Sequence, residues 1–261
     1  ILDVPQIVSI MSADAITARG FNSIGEVINY LPCVTTSQGE GHRDAVVFRG
    51  VRSTADFYID GMRDDVQYFR PLYNLEQVEV LRGPNALLFG RGGTGGVLNR
   101  VTKKAQLDDD FMAAQLSVDS LGEIGGQVDT NKVLSDSVAL RINAMLERLD
   151  NHRDFYDGDR LGFNPTLRID RGDSRIDLSY EFVDHQRFID RGIPTGSNGR
   201  PIEAFENIVF GDADINTTEL KAHLWRLGLQ HAFSDSLKGN VSAFHGDFDK
   251  LYQNFYTASY H

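Results

Sequence analysis

From about residue 110 onward, apolar and polar side chains alternate with period two. Val138, Leu140, Ile142, Ala144 and Leu146 fall on one side of a strand, against Arg141, Asn143, Met145 and Glu147 on the other. Leu161, Phe163, Pro165, Leu167 and Ile169 oppose Asn164, Thr166 and Arg168. Ile176, Leu178, Tyr180 and Phe182 oppose Arg175, Asp177, Ser179 and Glu181. Residues 218–233 and 238–250 read as further strands, although Leu224 next to Trp225 breaks the alternation, which a β-bulge would restore. The joins alternate in length: SDS and DRGDS are short, whereas residues 151–160 and 187–216 are long and polar. About seven strands are expected.

Residues 1 to about 105 follow another pattern, that of an α+β unit. VPQIVSIM is a short strand. Ser12 then serves as N-cap, with Asp14 in the first turn, for a helix ending near Gly20. A second helix runs from Ser23, with Ile24, Val27, Ile28 and Leu31 at helical spacing, and stops before Pro32. AVVFRGV and DFYIDGMRDD read as short strands. LEQVEVLRG is a strand or a helix-to-strand join, and PNALLFG is one helical turn with Pro84 first.

The alternating half suits a soluble sandwich or an outer-membrane barrel. Strand length, the short-turn and long-loop rhythm, and charge along nearly every polar side favour the barrel. No apolar run reaches the roughly 18–20 residues of a spanning helix, which leaves a barrel open. A net charge of −11 argues against nucleic acid and against a peripheral anionic-lipid binder. A lone cysteine, Cys33, leaves no internal disulfide and no cysteine-rich metal site. The chain opens without a secretory signal and ends in strand-like sequence, so it reads as a fragment cut at both ends. Seven strands cannot close around a domain of this size, since barrels that hold a plug have about 22.

Gly90, Gly92 and Gly95 match G-x-G-x-x-G, with Asp108, Asp109 and Asp110 roughly 20 residues on. A dinucleotide loop needs a buried strand before it and a helix after it. Here the glycines follow PNALLFG and lead into VLNRVTKK, where Val97, Val101 and Thr102 favour a strand. Close backbone packing is the better reading for Gly83, Gly90, Gly92, Gly93, Gly95 and Gly96. No G-x-S-x-G elbow, H-E-x-x-H or paired-cysteine pattern marks an enzyme.

Taken in order, VPQIVSIMSADAI, VINYLPCV, VVFRGV, FYIDGMRDD, LEQVEVLRGPNALLFG and GGTGGVLNRVTKK resemble the plug motifs of the TonB-dependent outer-membrane receptors for ferric siderophores, with Cys33 in place of the usual Gly. The resemblance implies an α+β plug domain, residues 1–106, followed by the first strands of an antiparallel transmembrane β-barrel, residues 107–261, 22-stranded when complete. It implies uptake of an iron chelate, the TonB–ExbB–ExbD complex and outer-membrane lipid as partners, and no cofactor. Arg49 and Arg82 match the two plug arginines that pair with barrel glutamates, expected here in later strands. A TonB box is not recognisable.

By the same match the ligand meets three apical loops, residues 37–43, 52–56 and 63–73. Arg43, Arg52 and Arg70 offer charge-assisted donors, Gln38, Ser53 and Gln67 neutral ones, and Tyr68, Phe69 and Tyr73 flat surfaces; His42 lies among them. Asp60, Asp64 and Asp65 with His42 raise a direct iron site, but a chelated iron needs no protein ligand. Alternatives are another cargo (cobalamin, haem, a metal chelate or a saccharide) or a soluble binding module joined to a β-sandwich.

Overall fold

The computed structural model describes residues 7–37, 39–53, 56–82 and 95–255. They fall into two units, Ile1–Gly39 with Arg43–Lys103, and Glu40–His42 with Lys104–His261.

In the first unit, β1 (Ile7–Ser12) passes directly into α1 (Ala13–Ala18), because Ser12 keeps extended backbone while its hydroxyl accepts from Ala15 N at 3.3 Å. α2 (Ile24–Asn29) opens with a capping box: Ser23 Oγ accepts from Glu26 N, and the Glu26 carboxylate accepts from Ser23 N. Ile24, Val27 and Ile28 put its buried stripe into the core. β2 (Val34–Thr36), β3 (Val46–Phe48) and β4 (Val51–Ser53) form a three-stranded sheet in that order. AVVFRGV, expected as one strand, is thus a hairpin. Its Arg49–Gly50 loop has φ of 48° and 85°, the two positive values that let a two-residue turn follow strand twist.

β5 (Phe57–Ile59), β6 (Met62–Arg63), β7 (Leu75–Arg82) and β8 (Val97–Thr102) join β1 in a sheet of order β1-β7-β8-β5-β6. Only the β5–β8 pairing is parallel. One core joins both sheets to the helices through Ile16, Ile28, Val46, Phe48, Phe57, Val78 and Leu98. The expected PNALLFG turn lies outside the described residues.

The second unit is a seven-stranded antiparallel meander: β9 (Phe111–Val118), β10 (Ile124–Ser135), β11 (Val138–Asp150), β12 (Asp157–Arg171), β13 (Ser174–Phe188), β14 (Thr217–Ser234) and β15 (Leu237–Gln253). The joins 136–137, 172–173 and 235–236 lie at one end; 119–123, 151–156 and 189–216 lie at the other.

Burial in this sheet is inverted relative to a soluble sandwich. On β11 the buried positions are Ala139, Arg141, Asn143, Met145, Glu147 and Leu149, and the aliphatic set faces outward, with Leu146 64% exposed. Leu161, Phe163, Leu178, Trp225 and Leu227 are likewise exposed, whereas Asn143, Asn164 and Glu181 are fully buried. The aliphatic side gives way to charge at Arg148, Asp159, Asp184, Lys221 and Asp247. Tyr180, His223, Trp225 and His245 stack along that border, with ring centroids 5.5–6.1 Å apart. An apolar outer band ending in aromatic rings is the design of a strand sheet in lipid.

Leu224 needs no bulge. Register with β13 and β15 runs unbroken through Leu224 and Trp225. Trp225 points out; Leu224 points in and is buried, as are its neighbours Val183, Leu220 and Ala222. The expected bulge assumed a uniformly polar inner side, and this side carries an apolar patch.

Ion pairs stitch consecutive strands along the buried side. Arg141 meets Asp129 across β10–β11 at 2.7 Å, and Arg160 donates to Glu147 across β11–β12 at 2.6 Å. Arg168 meets Asp177 across β12–β13 at 2.7 Å, and Arg226 meets Glu181 across β13–β14 at 2.7 Å.

Pro165 lies mid-strand and lacks an N–H. The β12–β13 ladder pairs Phe163 with Phe182 and resumes only at Thr166 with Ser179. Asn164 fills the gap: its Nδ2 donates to Tyr180 O at 2.5 Å and to Ser179 Oγ at 2.9 Å. A side-chain amide thus stands in for the missing backbone donor.

Candidate functional site

The loop after β6 is organised around a buried carboxylate. Asp64 Oδ2 accepts from Arg70 Nε at 2.9 Å, Arg100 Nη2 at 2.7 Å and the Tyr68 hydroxyl at 2.8 Å. Burial pushes the Asp64 carboxyl up, but Arg70, Arg100 and the Tyr68 hydroxyl outweigh it and hold the group below the usual carboxylate range. Asp44 completes the charge balance, its Oδ2 accepting from Arg70 N at 2.8 Å and lying 3.8 Å from Arg70 Nη1. Asp60 is engaged too, accepting from Thr102 N at 2.9 Å and Thr102 Oγ1 at 2.6 Å. Two of the three carboxylates weighed above as iron ligands, Asp60 and Asp64, are therefore fold-holding groups.

This geometry turns part of the expected ligand set inward. Tyr68 and Arg70 are each 1% exposed and face the inside of their loop, and Tyr73 is buried as well. The reason is charge: Asp64 can be buried only with both guanidiniums and the hydroxyl drawn in around it. Gln67 and Arg52 are exposed and Phe69 is half-buried, so these three keep accessible surface. Arg43 is buried in the same unit. Gln38 and the side chain of Ser53 lie outside the described residues.

His42 belongs with the strand unit. Its ring centroid is 4.0 Å from that of Tyr252, its Nδ1 is 2.8 Å from Lys250 Nζ, and its Nε2 is 3.6 Å from Glu40 Oε2. In the same unit Arg153 ties two long joins together. It donates to Glu206 O at 2.9 Å, Ile208 O at 2.7 Å and Asp190 Oδ1 at 3.0 Å. Residues 151–156 and 189–216 therefore form one knitted surface. Sequence reasoning missed Arg153, since a lone arginine in a polar join carries no mark of its partners.

The two arginines matched to the plug–barrel pair differ in placement. Arg49 is exposed at the tip of the β3–β4 hairpin. Arg82 is buried and donates to Pro32 O and Ser9 Oγ. Gly83, Gly90, Gly92 and Gly93 lie outside the described residues. Gly95 and Gly96 press flat on Phe48: a Cβ at Gly95 would stand 2.5 Å from Phe48 Cβ, and one at Gly96 2.8 Å from Phe48 Cδ1. Close approach explains them.

Residues 1–97 match the family model described as the TonB-dependent Receptor Plug Domain. The chain is 32% identical over 198 residues to the probable TonB-dependent receptor BfrD of Bordetella pertussis, a match covering 74% of this chain and 26% of that protein. It is 31% identical over 202 residues to the catecholate siderophore receptor Fiu of Escherichia coli K12, covering 75% of this chain and 26% of Fiu. The crystal structure of the siderophore receptor PiuA from Acinetobacter baumannii superposes with a TM-score of 0.88 at 24% identity, over 96% of this chain and 37% of PiuA. The chain thus spans about a quarter of the length of the curated relatives it matches. With the plug motifs, the mixed five-stranded sheet and seven strands turned apolar side out, it belongs to the TonB-dependent receptors.

Proposed function

We propose that the protein takes up ferric siderophores across the bacterial outer membrane. The plug gates a β-barrel, β9–β15 cross the lipid, and TonB with ExbB and ExbD supplies the energy. The observation that carries the reading is the inverted sheet, whose exposed aliphatic side and buried ion pairs suit lipid outside and a polar lumen inside. The siderophore class of the cargo is supported by what the named relatives are said to receive. Among the described residues of the expected ligand set, Arg52, Gln67 and Phe69 are the ones proposed to touch the chelate, since they keep accessible surface. Release follows a plug rearrangement that lowers the affinity of this surface.

Growth of a deletion strain and its complement on single iron sources tests the proposal. The complement is expected to restore growth on at least one ferric catecholate or trihydroxamate and to leave cobalamin- and haem-dependent growth unchanged. Equal growth of both strains on every ferric chelate rejects the siderophore reading.

A further inference from the structure

The loop from Asp64 to Arg70 is wound around its own last side chain. Besides Asp64 Oδ2, the Arg70 guanidinium takes three backbone carbonyls of that loop. Nη2 donates to Asp64 O at 2.8 Å and to Val66 O at 2.7 Å, and Nη1 donates to Tyr68 O at 3.1 Å. The Phe57 and Tyr68 rings cover the guanidinium, with centroids 3.9 and 4.4 Å from its central carbon. From outside, Asp44 N donates to the same Tyr68 O at 3.2 Å.

Carbonyls 64, 66 and 68 converge on one planar fork. Their residues turn inward or lie half-buried, while Asp65 and Gln67 are exposed and Phe69 keeps part of its surface. Such an arrangement commits two arginines and two aspartates to the interior, which is costly unless each is well partnered. What it secures is one backbone conformation for a segment without helix or strand. A binding loop already fixed does not lose that conformational freedom when a ligand arrives.

We propose that Arg70 is the positioning residue of this site, presetting loop 64–70 so that Gln67 and Phe69 are offered to the ferric chelate in a fixed geometry. The inference rests on the reading that this loop meets the chelate. Lysine in place of Arg70 keeps the charge but cannot reach three carbonyls and a carboxylate at once, because its donors sit on a single atom.

The test uses the full-length receptor, with amide hydrogen exchange and titration with two probes, ferric 2,3-dihydroxybenzoate and a ferric trihydroxamate. Arg70→Lys is expected to speed exchange at residues 65–69 and to weaken binding of the accepted probe, each by about tenfold. Exchange in α2 and β7 is expected to stay at wild-type values. Unchanged exchange at 65–69, or faster exchange with unchanged affinity, overturns the proposal. If Arg70→Lys does not assemble, Asp64→Asn, which weakens one of the four holds on the guanidinium, is expected to give the same changes at smaller size, and wild-type values there overturn it as well. A Gln67→Ala/Phe69→Ala double variant separates the two claims. Full binding by that variant removes the loop from the site. Weakened binding there, with Arg70→Lys at wild-type affinity, removes only the positioning role.

Discussion

Asn164 and Pro165 act as one residue pair. The proline deletes a ladder donor opposite Tyr180, and the neighbouring amide supplies it. Asn164→Ala is expected to cost about 1–3 kcal/mol, the price of a buried carbonyl left without a donor. In a Pro165→Val background, where the backbone N–H returns, the same substitution should cost much less; urea unfolding of the four variants measures that coupling. Equal costs in both backgrounds would remove the replacement role. Neither residue's part is legible in the sequence, where Pro165 merely fits the apolar side. The same limit applies to Tyr68 and Arg70, which have the right chemistry for a ligand and are spent on Asp64 instead. Residue type states what a group can bind, while its partner depends on the chain segments packed around it.

Among elements, alternation located most of β11–β15, while N-caps and helical spacing located both helices. Register was not legible, and register decides which charges meet. Polar sides expected to be wet are joined in pairs, and two of these, Glu147–Arg160 and Glu181–Arg226, are buried at both ends. For Glu181 and Arg226 the consequence is asymmetric. Arg226→Met should destabilise the folded barrel by about 3–5 kcal/mol, because it strands a buried carboxylate. Adding Glu181→Leu should recover most of that loss, as removing both charges leaves nothing unpaired. Unfolding midpoints of the single and double variants read this directly. A double variant no more stable than the single one would mean that packing around Arg226, and not charge, holds these strands.

For the whole molecule, the decisive feature is which side of the sheet is apolar. Leu178 lies in the middle of the outward run of β13 and is 41% exposed. Leu178→Arg should cost about 2–4 kcal/mol in a bilayer and deplete the receptor from the outer-membrane fraction. The same substitution would be mild on a sheet whose exposed side met water. Membrane-fraction yield of Leu178→Arg against Leu178→Val makes the comparison, and equal yields would place this face in water.

The ends of this sheet differ in the freedom they leave. The two-residue hairpin at 172–173, with unshifted register beside it, dictates the phase of the strands on both sides, so an added residue there would turn a strand's oily side inward. The opposite rim, with its wide spans, carries no such obligation. Evolutionary novelty, epitope tags and grafted recognition segments therefore have one admissible shore, and it is the one Arg153 holds together.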